Sequence, residues 1–199
     1  MTTRRFALIL LSLFLTLCSC LYTPHTSKAS IDDKPTIIKN IYIDDAFTVG
    51  EEEDIERALV AWEKASNHKI IFNSLYRKAE PGELDDYFDI KSYNNSIFIW
   101  RIESYNLSWH LKSKLDKFSG VYDKIGNAII FPDKIIGLND IFYNVVRHEV
   151  GHMLGLGHST TKAQSTMKIR DVDISDCISQ EDTDRLCAIY FCIGKPECN

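Results

Sequence analysis

The spacing of apolar positions changes several times along this 199-residue chain, and each change predicts an element. Residues 6–17 are apolar except for Ser12 and Thr16, a run too short to span a bilayer comfortably. Residues 36–43 (T-I-I-K-N-I-Y-I) are rich in β-branched side chains and predict a first strand. Ile55, Leu59 and Trp62 then recur at helical spacing behind the acids of 51–54, which suit the positive end of a helix dipole; with Asn67 as a stop, they predict a helix over 52–66. Residues 69–73 predict a second strand, and 96–103 (S-I-F-I-W-R-I-E) the strongest strand in the chain. Val121-Tyr122 and residues 128–131 flank a turn at Gly126-Asn127 and predict two short strands. Asn139 or Asp140 can cap a helix through Ile141, Val145 and Val146 to Leu154. Ser179 with Asp182 forms a capping-box pattern ahead of a last helix over 180–190. This order predicts one α+β domain over 36–199.

The amino terminus adds a destination. Arg4 and Arg5 before the short apolar run make 1–20 an export signal, and the polar stretch 21–35, with Pro24 and Pro35, a tether. Leu17-Cys18-Ser19-Cys20 resembles a bacterial lipobox, which would make Cys20 the lipid-bearing residue; cleavage near Ser19 without lipidation is the alternative. The expected location is therefore extracytoplasmic, membrane-anchored or secreted. Net charge is −5 for the whole chain, and no basic cluster follows residue 20, so nucleic acid is excluded as a partner. Cys177, Cys187, Cys192 and Cys198 crowd into the tail, and in an exported protein they read as two disulfides. Three pairings are open, with Cys187–Cys192 the least expected, because a helix places positions five apart on different faces. The acidic stretch 80–89 reads as a solvated loop; Ca²⁺ is conceivable there, but no oxygen-ligand spacing supports it.

The chemistry sits in the predicted helix before Leu154. His148-Glu149-Val150-Gly151-His152 puts two imidazoles on one helix face, about 6 Å apart along the axis, where both can grip one Zn²⁺. Glu149 projects beside them and can act as a general base. Zinc lowers the pKa of a water it holds to about 7, so a carboxylate suffices. Gly155 can adopt the left-handed conformation that ends the helix and turns the chain back, bringing His158 in as the third nitrogen. An H-E-x-x-H match alone arises by chance in on the order of one chain in a hundred, and the in-register Gly155 and His158 lower that by roughly another thousandfold.

The run H-E-V-G-H-M-L-G-L-G-H over 148–158 resembles the elongated zinc motif of the metzincin metallopeptidases. Leu156-Gly157-His158-Ser159 and Ser165-Thr166-Met167 look most like the matrixin branch. The resemblance implies a zincin-like domain with a twisted mixed sheet, an active-site helix, Met167 as the Met-turn methionine under the imidazoles, and a C-terminal helix. It also implies extended substrate lying along an antiparallel edge strand, for which Asn127, Ala128 and Ile129 are the candidates. The implied protein is a monomeric zinc endopeptidase acting on proteins or peptides. A zinc-containing binding or adhesion protein without turnover is one alternative, and a zinc amidase or esterase for small molecules another. The matrixins' structural zinc set is not found: His25, His68 and His110 are scattered, and Lys168 stands where Tyr-Pro is common.

Overall fold

The computed structural model describes residues 37–77, 96–102, 119–124, 127–133, 139–161, 164–169 and 174–198. The export signal, Cys20, the tether, His25, His110 and the acidic stretch 80–89 lie outside the described residues. The described elements run β1 (Ile37–Asp44), α1 (Val49–Ala65), β2 (Ile70–Arg77), β3 (Ser96–Ile102), β4 (Val121–Asp123), β5 (Ala128–Pro132), α2 (Asn139–Met153) and α3 (Gln180–Tyr190). All fall within one unit, Asp33–Asn199. None of the described helices is long and apolar enough to cross a membrane.

The five strands form one mixed sheet in the order β2-β1-β3-β5-β4. The first four run parallel, and β4 pairs antiparallel with β5 at the end. Strands buried on both faces lose the strict apolar–polar alternation. Ile97, Phe98, Ile99 and Trp100 of β3 are accordingly all buried, as is every residue of β5. On one face Ile41, Ile43, Ile97, Ile99, Ile129 and Phe131 join the core. Against them pack Ile55, Leu59 and Trp62 of α1, and Phe142, Val145, Val146 and Val150 of α2. Trp62 also ties the helices together, its indole N–H donating to the carbonyl of Arg147 at 2.8 Å.

Two boundaries differ from expectation. Helix α1 starts three residues early because Thr48 is its cap, with the Thr48 N–H donating to Glu51 Oε2 at 2.7 Å. Strand β2 extends to Arg77, past polar Asn73 and Ser74, because pairing with β1 carries it; Asn73 Nδ2 donates to Asn40 Oδ1 across that pair.

Two expectations are overturned. Asn127, Ala128 and Ile129 do not offer a free edge: β5 is paired on one side to β3 and on the other to β4, so its backbone groups are taken. Among the described residues the antiparallel edge is β4. Cys187–Cys192, the least expected pairing, is present, beside Cys177–Cys198. The expectation assumed that the helix continued. It ends at Tyr190, and Phe191 takes the left-handed conformation at φ 54°. The Cys192 N–H then returns to the Cys187 carbonyl, and the two Cα atoms come within 4.5 Å. This is the closure in which the residue beyond a left-handed cap normally makes an apolar contact with the helix; here a disulfide takes its place. Two disulfides fit an extracellular or otherwise oxidising compartment.

The tail is tied back into the core. Lys195 N–H donates to the Ala65 carbonyl, and Glu197 accepts from the Ile178 N–H and from Arg147. Arg147 is fully buried beside His148, its guanidinium donating also to the carbonyls of Ser175 and Asp176. Peptide mapping of the unreduced protein should recover Cys177–Cys198 and Cys187–Cys192 linkages. Fragments joining Cys177 to Cys187 or Cys192 would overturn this arrangement of the tail.

Candidate metal centre

Helix α2 presents His148 and His152 one turn apart, and the helix closes just beyond them. Gly155 has φ 92°, the Gly155 N–H donates to the His152 carbonyl at 2.9 Å, and the Leu156 N–H reaches back to Gly151 at 3.0 Å. That pair of bonds is a Schellman closure, which a side chain at residue 155 would strain. Leu156 is buried, and the reversed chain delivers exposed His158 to the other two rings. One nitrogen from each of the three imidazoles lies within 4.8 Å of the others. His152 Nε2 and His158 Nε2 are 3.2 Å apart. Two nitrogens bound to one tetrahedral Zn²⁺ at ~2.1 Å sit about 3.4 Å apart, so the spacing fits a shared ion.

The outer nitrogens of two rings are already committed. His148 Nδ1 meets the carbonyl of Thr166, and His152 Nδ1 that of Leu156, each at 2.8 Å. A carbonyl only accepts, so each Nδ1 carries the proton and each Nε2 keeps its lone pair for a metal. Burial reinforces this. His148 is pushed down to about 3, chiefly by desolvation and then by the neighbouring His152, against an opposing pull from the Thr166 hydrogen bond. His152 and His158 are also lowered, first by burial; His158 and then Arg185 lower His152 further against the Leu156 hydrogen bond, and Arg185 lowers His158 further. All three are thus neutral near pH 7, the state that ligates metal.

Glu149 is 6% exposed, and its Oε2 accepts the Tyr122 N–H at 2.7 Å. The base candidate is therefore tied directly to strand β4. Asn127 contributes indirectly: left-handed at φ 55°, it accepts from the Tyr122 hydroxyl and donates to the Ser96 carbonyl. Ala128 and Ile129 are fully buried in the sheet.

Met167 is fully buried and packs against α2 at Gly151, where an added Cβ would stand 2.3 Å from the methionine sulfur. Gly151 is a mid-helix glycine because the 165–167 turn approaches so closely there. That turn is held by Asp182, itself fully buried, whose carboxylate accepts from Ser165 Oγ at 2.6 Å and the Thr166 N–H at 2.8 Å. In sequence Asp182 reads only as a helix cap, a role it also fills by accepting from Ser179. Two neighbours on α3 hold the other loop: Glu181 accepts from Ser159 and Thr161, and Arg185 donates to the Gly157 carbonyl.

No protein-family model matches the chain, and no curated protein sequence does. Among solved structures its fold is similar to that of archaemetzincin from Methanopyrus kandleri, with a TM-score of 0.52 at 14% identity, covering 77% of this chain and 94% of that one. At that identity the likeness concerns the fold alone, and it lends no support to the matrixin branch in particular.

The His148 shift sets a pH dependence. Its folded value, about 3, lies below the ordinary 6.5, so the unfolded chain binds more protons between these values. Stability is fully present above pH 6.5 and falls as the pH drops through that window, by up to about 1.4 kcal/mol per unit. Melts of the chelator-treated protein should show Tm falling from pH 6.5 toward roughly 4, and falling less steeply in His148→Asn. Equal slopes in the two proteins would contradict the assignment.

Proposed function

We propose that the chain is a zinc-dependent endopeptidase of metzincin type, cleaving extended protein or peptide substrates. The observation that carries this reading is the convergence of one nitrogen from each of His148, His152 and His158 within 4.8 Å, with Glu149 standing between the first two along the helix. A purely structural zinc prefers four protein ligands, whereas the described residues group three.

His148, His152 and His158 would hold the ion. Bound there, zinc would supply Lewis acidity toward a carbonyl and lower the pKa of a water. Everything else falls to the chain itself. A substrate strand added beside β4, the last strand of the sheet among the described residues, would gain affinity from main-chain hydrogen bonds and selectivity from alternate side chains, with the Tyr122 N–H already given to Glu149. Because Tyr122 on that strand contacts Glu149, a peptide added to β4 lies beside the carboxylate. Glu149 takes the proton of the attacking water and returns it to the departing amine. The buried hydrogen bonds at Thr166 and Leu156 keep two imidazoles in the tautomer the metal needs. The enzyme works outside the cytosol, a reading its two disulfides support, attached through Cys20 if the lipobox is used.

Glu149→Gln removes the base while keeping size and shape. Casein turnover by the purified variant should fall at least about a hundredfold, chiefly in kcat, with zinc content and Tm nearly unchanged. Turnover near the wild-type rate with zinc in place would show that another group is the base.

A further inference from the structure

The three ligands are not held alike. His148 and His152 each have a backbone carbonyl on Nδ1, which fixes the ring. His158, the most exposed of the three, has no such acceptor among the described residues; its one ring hydrogen-bond contact is Nε2 to Nε2 with His152. Its place must therefore come from its backbone, and that backbone is flanked by Gly157, the residue type with the most conformational freedom to lose. A hold on the loop has to come from outside it.

The Met167 carbonyl accepts the Ser159 N–H at 2.6 Å on one side of His158, and helix α3 supplies the hold on the other. Arg185 Nη2 donates to the carbonyl of Gly157, the residue directly before His158, at 2.6 Å. One turn earlier, Glu181 accepts from the hydroxyls of Ser159 and Thr161, just after His158. The Gly157 bond is the only hydrogen bond of the Arg185 guanidinium among the described residues, and Nη1 is buried without a partner. The guanidinium is thus turned to the loop carbonyl rather than spent on an ion pair.

We propose that Arg185 is a positioning residue for the metal: through the Gly157 carbonyl it sets where His158 stands. The inference rests on the reading of the three histidines as zinc ligands. Two effects of Arg185 oppose each other. Its positive charge disfavours a dication nearby, while its hydrogen bond favours the closed ligand set. The Glu181 carboxylate on the same helix offsets the charge, and solvent screens what remains, so the hydrogen bond dominates.

The test compares wild type, Arg185→Met and Arg185→Lys as full-length, disulfide-intact proteins. Zinc affinity is measured by competition with a chromophoric chelator, ligand geometry by the visible spectrum of the Co²⁺ form, and folding by melting without metal. Arg185→Met should bind zinc about tenfold more weakly than wild type, with altered Co²⁺ bands and little change in metal-free Tm. Arg185→Lys keeps the charge and one donor and should recover most of the affinity. Unchanged or tighter zinc binding by Arg185→Met, with a wild-type Co²⁺ spectrum, overturns the proposal and leaves the zinc reading standing. Failure of the wild type itself to bind zinc would remove both.

Discussion

The structure depends on one constraint: three neutral imidazole nitrogens must converge on a point, although a straight helix can bring only two of them there. The left-handed turn at Gly155 resolves it. Its two backbone bonds close α2 and reverse the chain, and the same reversal puts the Leu156 carbonyl under His152 Nδ1. A single turn thus ends the helix, delivers the third imidazole and orients the second. The first ligand needs its own support, which comes from the Thr166 carbonyl in the turn that Met167 anchors against Gly151.

Around this point the elements divide the work. Strands β3 and β5, buried on both faces, give α1 and α2 a firm surface, and β4, last in the sheet among the described residues, is bonded to Glu149 through Tyr122. Helix α3 braces the site from the other side. Glu181, Asp182 and Arg185 reach both loops that surround the imidazoles. The disulfides lie next to that helix, one joining the residue two before its cap to the tail and one closing its far end. Arg147 completes the bracing. Buried beside His148, it is stabilised less by its Glu197 partner at 3.3 Å than by carbonyls of the segment leading into α3. A buried cation with several acceptors avoids most of the cost that an isolated one would incur.

Much of this was legible in the residues. Residue patterns, apolar spacing for most and a capping box for the last helix, located all eight described elements, and the H-E-x-x-H run with Gly155 and His158 named the three residues that converge. What could not be read there is non-local. Strand order decides which strand is an edge, and nothing in Val121-Tyr122-Asp123 announces that it lies outside the longer, more apolar β5. Glu181 and Asp182 look like ordinary first-turn acids, because the groups they hold lie 16 to 22 residues away. The Cys187–Cys192 pairing depends on a left-handed phenylalanine, a conformation that sequence propensity argues against.

The central claim is the ligand set itself, and X-ray absorption at the zinc edge of the purified, zinc-loaded protein tests it most directly. The account predicts three imidazole nitrogens and one further light-atom ligand at about 2.0–2.1 Å, with one imidazole missing in His158→Ala. A sulfur-containing shell at about 2.3 Å, or an unchanged imidazole count in His158→Ala, would contradict it.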